Sequence, residues 1–100
     1  MTKLRLSAAA RTDLQEIREI GVREHGTAAA EAHLRGFRRW FQLLREYPLA
    51  GQERAEFERG IRSLSHRPHR ILYQIAGDTV LIVRILHSSR DIRSALRETA

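Results

Sequence analysis

The sequence contains no cysteine and only one lysine. Without thiols the chain can form neither disulfides nor thiolate metal sites, a composition typical of a reducing compartment. Among the 18 basic residues Lys3 is the single lysine, so guanidinium groups carry the positive charge. Guanidinium groups suit bidentate recognition of carboxylates and phosphates, although an arginine bias of the genome would explain the same composition equally well.

The N-terminus, MTKLRLSAAAR, lacks an apolar stretch long enough for a signal peptide or a membrane span. No tract rich in serine, glycine or proline marks a linker, and no internal repeat is visible. With 100 residues, of which 42% are hydrophobic, the chain is predicted to form a single globular domain, residues 1–100. We therefore expect a cytoplasmic protein that does not contact membranes.

The formal net charge of +6, with a sequence pI near 11.2, indicates a partner of opposite charge. Nucleic acid, acidic lipid headgroups and acidic proteins all meet that description. The charge alone does not choose among them.

The first half of the chain has the periodicity of two amphipathic helices. Alternation over residues 2–6 predicts a short strand, and Ser7 can cap the helix that follows it. The second helix has the stronger signal, because its apolar residues recur at steps of four and three. They are Ala30, Leu34, Phe37, Phe41 and Leu44. Since only a short turn at His25-Gly26 separates the helices, they should pack antiparallel as a hairpin.

The second half predicts an antiparallel sheet. A strand begins within residues 60–65, and residues 69–76 and 79–87 are rich in β-branched and aromatic residues. Gly77-Asp78 between these last two segments is a good two-residue hairpin turn. The expected fold is α+β, with an N-terminal strand, an antiparallel helical hairpin, a three-stranded antiparallel meander and a short C-terminal helix.

The turn at Gly77 also predicts which side chains share a face of the sheet. A regular ladder pairs Tyr73 with Ile82 and Arg70 with Ile85. The face expected to pack on the helices carries Ile71, Tyr73, Ile75, Val80, Ile82 and Leu86, with Arg84 as its lone charge. The opposite face carries Arg70, Leu72, Gln74, Leu81, Val83, Ile85 and His87. This second face is too apolar to be exposed to water, so the C-terminal segment, a partner chain or both should cover it.

The last third of the chain resembles a known family. The order of the elements, with the segments GIRSL, HRILY and VRILHSSRD, resembles the RelE/ParE toxin superfamily over essentially the whole chain. The Ile-Leu-His segment followed by an Arg-Asp pair is similar to the ParE branch. This resemblance implies the toxin of a bacterial type II toxin–antitoxin system. It also implies a cognate acidic-tailed antitoxin, usually a ParD-like ribbon-helix-helix dimer, that neutralises the toxin.

The resemblance leaves more than one function open. ParE members inhibit DNA gyrase by binding it, and this non-enzymatic function is the one we expect. RelE members are ribosome-dependent mRNA endoribonucleases, which is the alternative. A binding module without toxicity is a third hypothesis, and direct nucleic-acid binding by the chain is left open.

A ribonuclease function would rest on Arg70, His87 and Arg90. The two arginines match phosphate-contacting arginines of the RelE type, but a group with a pKa above about 12 cannot shuttle protons. His87, placed by the expected register on the same face as Arg70, is the one acid or base candidate. The catalytic tyrosine of RelE-type enzymes has no counterpart, since Leu96 stands at its position. We therefore expect a gyrase-binding toxin rather than a nuclease, with a structural role for His87.

The remaining candidates are contact residues. For the antitoxin they are Leu72, Leu81, Val83 and Ile85, which lie on the face that needs a cover. Arg90, Arg93 and Arg97 are candidates for contact with the target, although a solvated basic face would explain them as well. Asp91 is expected to cap the C-terminal helix. No histidine set has a recognised metal spacing and no glycine-rich phosphate loop occurs, so neither a metal nor a cofactor is expected.

Overall fold

The computed structural model describes residues 2–99 as a sheet with helices on both faces. Its helices are α1 (Ala8–His25), α2 (Thr27–Glu46) and α3 (Ile92–Thr99), and its strands are β1 (Lys3–Leu6), β2 (Gln52–Glu53), β3 (Arg62–His66), β4 (His69–Ala76) and β5 (Thr79–His87). A 3₁₀ turn at Pro48–Ala50 follows α2. The α+β class and the order of the predicted elements are confirmed. The sequence analysis did not predict the two-residue strand β2, because this strand lies in a polar and irregular segment.

The strands form one mixed sheet in the order β1-β5-β4-β3-β2. Neighbours from β2 to β5 are antiparallel, whereas β1 is parallel to β5, with Leu4 opposite Val80. Parallel neighbours need a long crossover, and the connection from β1 to the other strands includes the helical hairpin. The first and last strands of the chain therefore lie side by side. None of the helices within residues 2–99 combines the length and the hydropathy that a membrane span requires.

The helical hairpin packs on one face of the sheet. Ser7 starts α1, because its hydroxyl oxygen accepts a hydrogen bond from the Ala10 N–H (3.0 Å) while the hydroxyl donates to the Val83 carbonyl (2.7 Å). The predicted stripe of α2 faces the sheet, with Phe37 and Leu44 completely buried. The hairpin and sheet enclose the first core, which contains Ala10, Phe37, Leu44, Ile71, Tyr73, Val80, Ile82 and Ile85.

The ladder between β4 and β5 contains a β-bulge that alternation did not predict. Near the turn, where Gly77 has φ +60°, Tyr73 pairs with Ile82 as expected. Farther from the turn the register shifts by one residue, so that Leu72 pairs with Arg84 and Val83 is the additional residue of β5. Successive strand residues point to opposite faces, and one extra residue therefore inverts every side chain beyond it. The predicted pairing of Arg70 with Ile85 is wrong, because Arg70 pairs with Leu86.

The bulge corrects the predicted facing at the end of β5. Ile85 belongs to the first core, although we expected it on the opposite face. Leu86 and His87 exchange faces in the same way, since Arg70 pairs with Leu86 and His69 pairs with His87. Arg84 was expected on the face of the helices, but it pairs with Leu72 of the opposite face. Ile85 and Leu86, which exchange faces, are both apolar, and no glycine marks the irregularity, so the sequence pattern did not reveal the bulge.

A second core lies on the other face of the sheet, beneath α3. It contains Ile61, Leu72, Val83, Leu86, Ile92, Ala95 and Leu96. We expected the C-terminal segment, a partner chain or both to cover this face, and the C-terminal segment covers part of it as α3. Leu81 lies at the margin of the second core and is half-buried.

Candidate functional site

A buried ion pair connects the helical hairpin, the sheet and α3. The Arg84 guanidinium donates to both carboxylate oxygens of Asp13, from Nε at 2.7 Å and from Nη2 at 2.9 Å. Its Nη1 donates to the Ala95 carbonyl (3.4 Å) and to Thr99 Oγ1 (3.1 Å) in α3. The Asp13 carboxylate also accepts from the Ile85 N–H at 2.9 Å. The hydrogen bonds that Arg84 donates to Asp13 are the main cause that raises the pKa of Arg84 above its usual value.

The sequence analysis found Arg84 but not its partner. A lone charge on an apolar strand face needs a counter-ion when it is buried. Asp13, between Ala10 and Leu14 on the inward side of α1, meets that need. This pair holds the fold together rather than forming an exposed site, because Asp13 and Arg84 are only 6% and 9% exposed.

The exposed arginines beyond β5 surround the start of α3. Asp91 caps the helix as predicted, because its carboxylate accepts hydrogen bonds from the Ser94 N–H (3.3 Å) and from the Ser94 hydroxyl (2.9 Å). The bond from the Ser94 hydroxyl is the largest cause that lowers the pKa of Asp91. Arg97 donates to Ser94 Oγ at 3.2 Å, and Arg90 lies 3.5 Å from the Glu98 carboxylate. These contacts are on the surface and leave the guanidinium groups accessible.

We call the shallow depression beside the start of α3 the arginine basin. Its volume is about 360 Å³, and its lining residues are Arg54, Phe57, Arg70, Ser88, Arg90, Asp91, Ile92 and Arg93. The Arg54 guanidinium carbon lies 4.4 Å from the centre of the Phe57 ring, and that of Arg70 lies 5.8 Å from it. The sequence analysis missed Arg54 and Phe57, since both occur in an irregular loop without periodicity.

His87 lies in a different place, in a group of rings that we call the histidine row: His33, His66, His69 and His87. The ring centres of His69 and His87 are 5.7 Å apart. His33 Nε2 and His69 Nδ1 share a hydrogen bond of 3.0 Å, and His33 stacks on His66 with ring centres 4.3 Å apart. The row lies beside the first core, because the His66 and His69 rings contact Phe37 of α2.

Two further contacts order the histidine row. His66 Nε2 donates to the His33 carbonyl at 2.9 Å, and the Trp40 indole N–H donates to His66 Nδ1 at 3.3 Å. Gly36 makes this approach of helix and ring feasible, because any side chain at that position would overlap the His66 ring. The row therefore ties α2 to the sheet, a role that the separate histidines did not reveal in the sequence.

Burial disfavours the charged forms of two members of the histidine row, His33 and His69. Burial is the largest cause that lowers the pKa of His69 to about 4, with smaller effects from the neighbouring histidines. Burial also lowers the pKa of His33, and His66 adds to the shift. A cleft of about 560 Å³ opens beside the row between α1 and the end of β5. In the part of the chain that the structure describes, no three His, Asp or Glu side chains are grouped to hold a metal ion.

The structure separates the three residues proposed for RNA cleavage. Arg70 lies in the arginine basin on the α3 face, whereas His87 contacts His69 on the face of the helical hairpin. Arg90 follows β5 and lines both the basin and the cleft. The expectation that His87 shares a face with Arg70 is wrong, and the physical reason is the bulge at Val83.

The apolar residues proposed for antitoxin contact differ in accessibility. Leu72 and Val83 are buried beneath α3, and Ile85 is buried under the helical hairpin. Leu81 remains half-exposed toward the turn end of the sheet, next to its partner Arg5 on β1. Direct contact with a second protein is therefore open to Leu81 while α3 stays in place.

Comparisons with known proteins agree on one family. A family model described as the ParE toxin of type II toxin–antitoxin systems, parDE, matches residues 4–92. The chain is 29% identical over 84 residues to Toxin ParE3 of Caulobacter vibrioides, covering 84% of each chain. It is 32% identical over 88 residues to Toxin ParE1 of Mycobacterium tuberculosis, covering 87% of this chain and 90% of the relative. A solved structure described as the chromosomal ParDE TA system from P. aeruginosa has a TM-score of 0.76 and 22% identity, covering 87% of this chain and 96% of that chain, and supports the fold.

Proposed function

The chain belongs to the ParE toxin family of type II toxin–antitoxin systems, and from this premise we propose that it inhibits DNA gyrase by binding and that a co-encoded ParD-like antitoxin neutralises it. The family match, which extends from β1 to the start of α3, carries the proposal. Inhibition of gyrase and neutralisation by the antitoxin are separate parts of this proposal, and each needs its own test.

Binding explains the geometry better than RNA cleavage does. A general acid or base must come within hydrogen-bond reach of the reacting atoms, at about 2.6–3.2 Å or through one water. Arg70, the candidate for phosphate contact, lies on the α3 face of the sheet. His87, the candidate for proton transfer, lies on the face of the helical hairpin. His87 is also engaged with Ser89, whose N–H donates to His87 Nδ1 at 3.1 Å. This separation speaks against one catalytic centre built from Arg70, His87 and Arg90.

The decisive test adds the purified, antitoxin-free chain to DNA gyrase, supercoiled plasmid and ATP. We expect linear plasmid to accumulate after the protein is denatured, because a gyrase poison traps the cleaved intermediate. The His87→Ala variant should retain this activity, and the double variant Arg93→Glu with Arg97→Glu should lose most of it. Folded, toxic protein that yields no linear plasmid and instead produces mRNA cuts at ribosomes would overturn the proposal.

For the antitoxin, we propose a docking surface at the part of the α3 face that α3 leaves uncovered. Leu81 provides an apolar contact continuous with the second core, and Arg5 provides a cation beside it. An acidic tail with alternating apolar side chains would match this pattern. Leu72 and Val83 would stabilise the surface from below without touching the antitoxin.

Leu81→Glu tests this surface, because it places a carboxylate where the acidic tail should dock. We expect at least a tenfold loss of antitoxin affinity, equivalent to about 1.4 kcal/mol. Ile75→Glu is the matched control, since Ile75 is 38% exposed and lies on the opposite face of the sheet. Equal affinities for the two variants, measured by calorimetry on folded proteins, would place the antitoxin elsewhere.

A further inference from the structure

The arginine basin concentrates positive charge more than its role in the fold requires. Four guanidinium groups, from Arg54, Arg70, Arg90 and Arg93, line one depression of about 360 Å³. The basin contains one carboxylate, that of Asp91, which is occupied by its hydrogen bonds to Ser94. Guanidinium groups that share one depression repel one another, and a bound anion would stabilise those that have no acidic partner.

The cations of the basin differ in the partners they already have. Arg54 donates to Glu56 at 2.7 Å, and Arg90 has the long contact with Glu98. Within residues 2–99, the salt bridges include neither Arg70 nor Arg93. These two guanidinium groups can therefore accept an external anion without breaking an ion pair of the fold.

Part of the basin is held in position before any ligand arrives. The Arg54 guanidinium packs over the Phe57 ring, donates to Glu56 and lies 3.4 Å from Ser63 Oγ. Arg70 extends from β4 toward the same ring. Guanidinium groups fixed against an aromatic ring lose less conformational entropy on binding than those of freely extended side chains.

The residues that line the arginine basin indicate which kind of anion it would bind. Four of the eight lining residues are arginines, and the Phe57 ring packs against the guanidinium groups of two of them. A phosphate backbone is bound through charge and hydrogen bonds, and arginine contacts it bidentately. Ser88 adds a hydroxyl group at the margin. We propose that the arginine basin binds the phosphodiester backbone of a nucleic acid. This binding requires neither gyrase nor the antitoxin, although Arg90 and Arg93 are also candidates for contact with the target.

The test measures fluorescence anisotropy of labelled 20-nucleotide DNA, as duplex and as single strand, and of RNA of the same sequence, with the purified full-length toxin. The double variant Arg70→Ala with Arg93→Ala removes the two arginines without ion pairs. We expect the affinity for the nucleic acid to fall about tenfold or more. The negative slope of log affinity against log salt concentration should become shallower by about two. The tightest of the three probes identifies the form of nucleic acid.

Two controls make the outcome decisive. Arg38→Ala with Arg39→Ala removes the same charge from the exposed side of α2 and should weaken binding less than threefold. Arg70→Gln with Arg93→Gln repeats the test with longer side chains if the alanine variant does not fold. Equal losses for the basin and α2 variants would show that binding follows net charge alone. Displacement of the nucleic acid by poly-glutamate at the same charge concentration would show a site for acidic protein, and either result would overturn the proposal.

Discussion

On one face of the sheet, helices of 18 and 20 residues enclose the first core, whereas on the other face an eight-residue helix covers only part of the second core. The first face holds the histidine row and the hydrogen-bonded Tyr73, and the buried ion pair connects this face to α3. The second face holds Leu81 and the arginine basin. We call the face under the helical hairpin the thick side of the sheet and the face under α3 the thin side. Stability thus depends mainly on the thick side, and the accessible charge that a partner would meet is beside the thin side.

The largest effect should come from breaking the ion pair that joins the two sides. Asp13→Ala leaves the Arg84 guanidinium buried without a carboxylate and removes the acceptor of the Ile85 N–H. We expect a loss of about 3–5 kcal/mol in the free energy of unfolding, measured by urea denaturation. The double variant Asp13→Leu with Arg84→Met should regain most of it, because it leaves no unpaired charge. A loss below about 1 kcal/mol for Asp13→Ala would contradict this role.

Truncating one leucine in each core compares the two sides directly. Leu44→Ala in α2 should cost about 3–4 kcal/mol, because both helices and the sheet prevent the cavity from closing. Leu96→Ala in α3 should cost about 2 kcal/mol, since the short helix can shift or detach. Hydrogen exchange of the Leu96→Ala variant should then be faster in α3 than in α2. Equal losses and uniform exchange would mean that the two cores unfold as one unit.

Removing the hydroxyl of Tyr73 tests a pair of hydrogen bonds that stabilises the thick side. That hydroxyl donates to the Pro48 carbonyl (2.7 Å) and its oxygen accepts from the Gly51 N–H (2.8 Å). Tyr73→Phe should lower the free energy of unfolding by about 1–2 kcal/mol, because both backbone groups lose their partner. Tyr47→Phe, at a position 61% exposed, is the control and should change stability by less than about 0.5 kcal/mol.

Acidification should weaken the thick side through the histidine row. The pKa of His69 is about 4 in the fold, below the value of about 6.5 expected in the unfolded chain. The unfolded state therefore binds more protons between these values, and stability present above pH 6.5 is lost as the pH falls toward 4. We expect the free energy of unfolding to decrease by about 1 kcal/mol from pH 7 to pH 5, a value reduced for the partial exposure of the ring.

Thermal unfolding of His69 variants at several pH values measures this effect. His69→Phe should flatten the profile, whereas His25→Gln, at an exposed position on α1, should leave it unchanged. If both variants keep the slope of the wild-type chain, the acid sensitivity arises from other groups.

Several features followed from the order of residues alone. The stripe of Phe37, Leu44 and their neighbours specified α2, because helical periodicity acts over a local stretch of chain. The Gly77 turn specified the first part of the last hairpin, and Ser7 and Asp91 specified two helix caps through side chains a few residues from their backbone partners. The family resemblance was also carried by short segments at the end of the chain, and the family match confirms it.

Contacts between distant residues required the tertiary structure. The sequence pattern did not reveal the bulge at Val83, which inverts the faces of Ile85, Leu86 and His87, and with them the composition of the proposed sites. The Asp13 to Arg84 pair joins positions 71 residues apart, and the histidine row combines α2 with three strands. Local propensity acts between neighbours in the chain, whereas burial, register and charge pairing depend on which surfaces meet, and that is decided only when the whole chain packs.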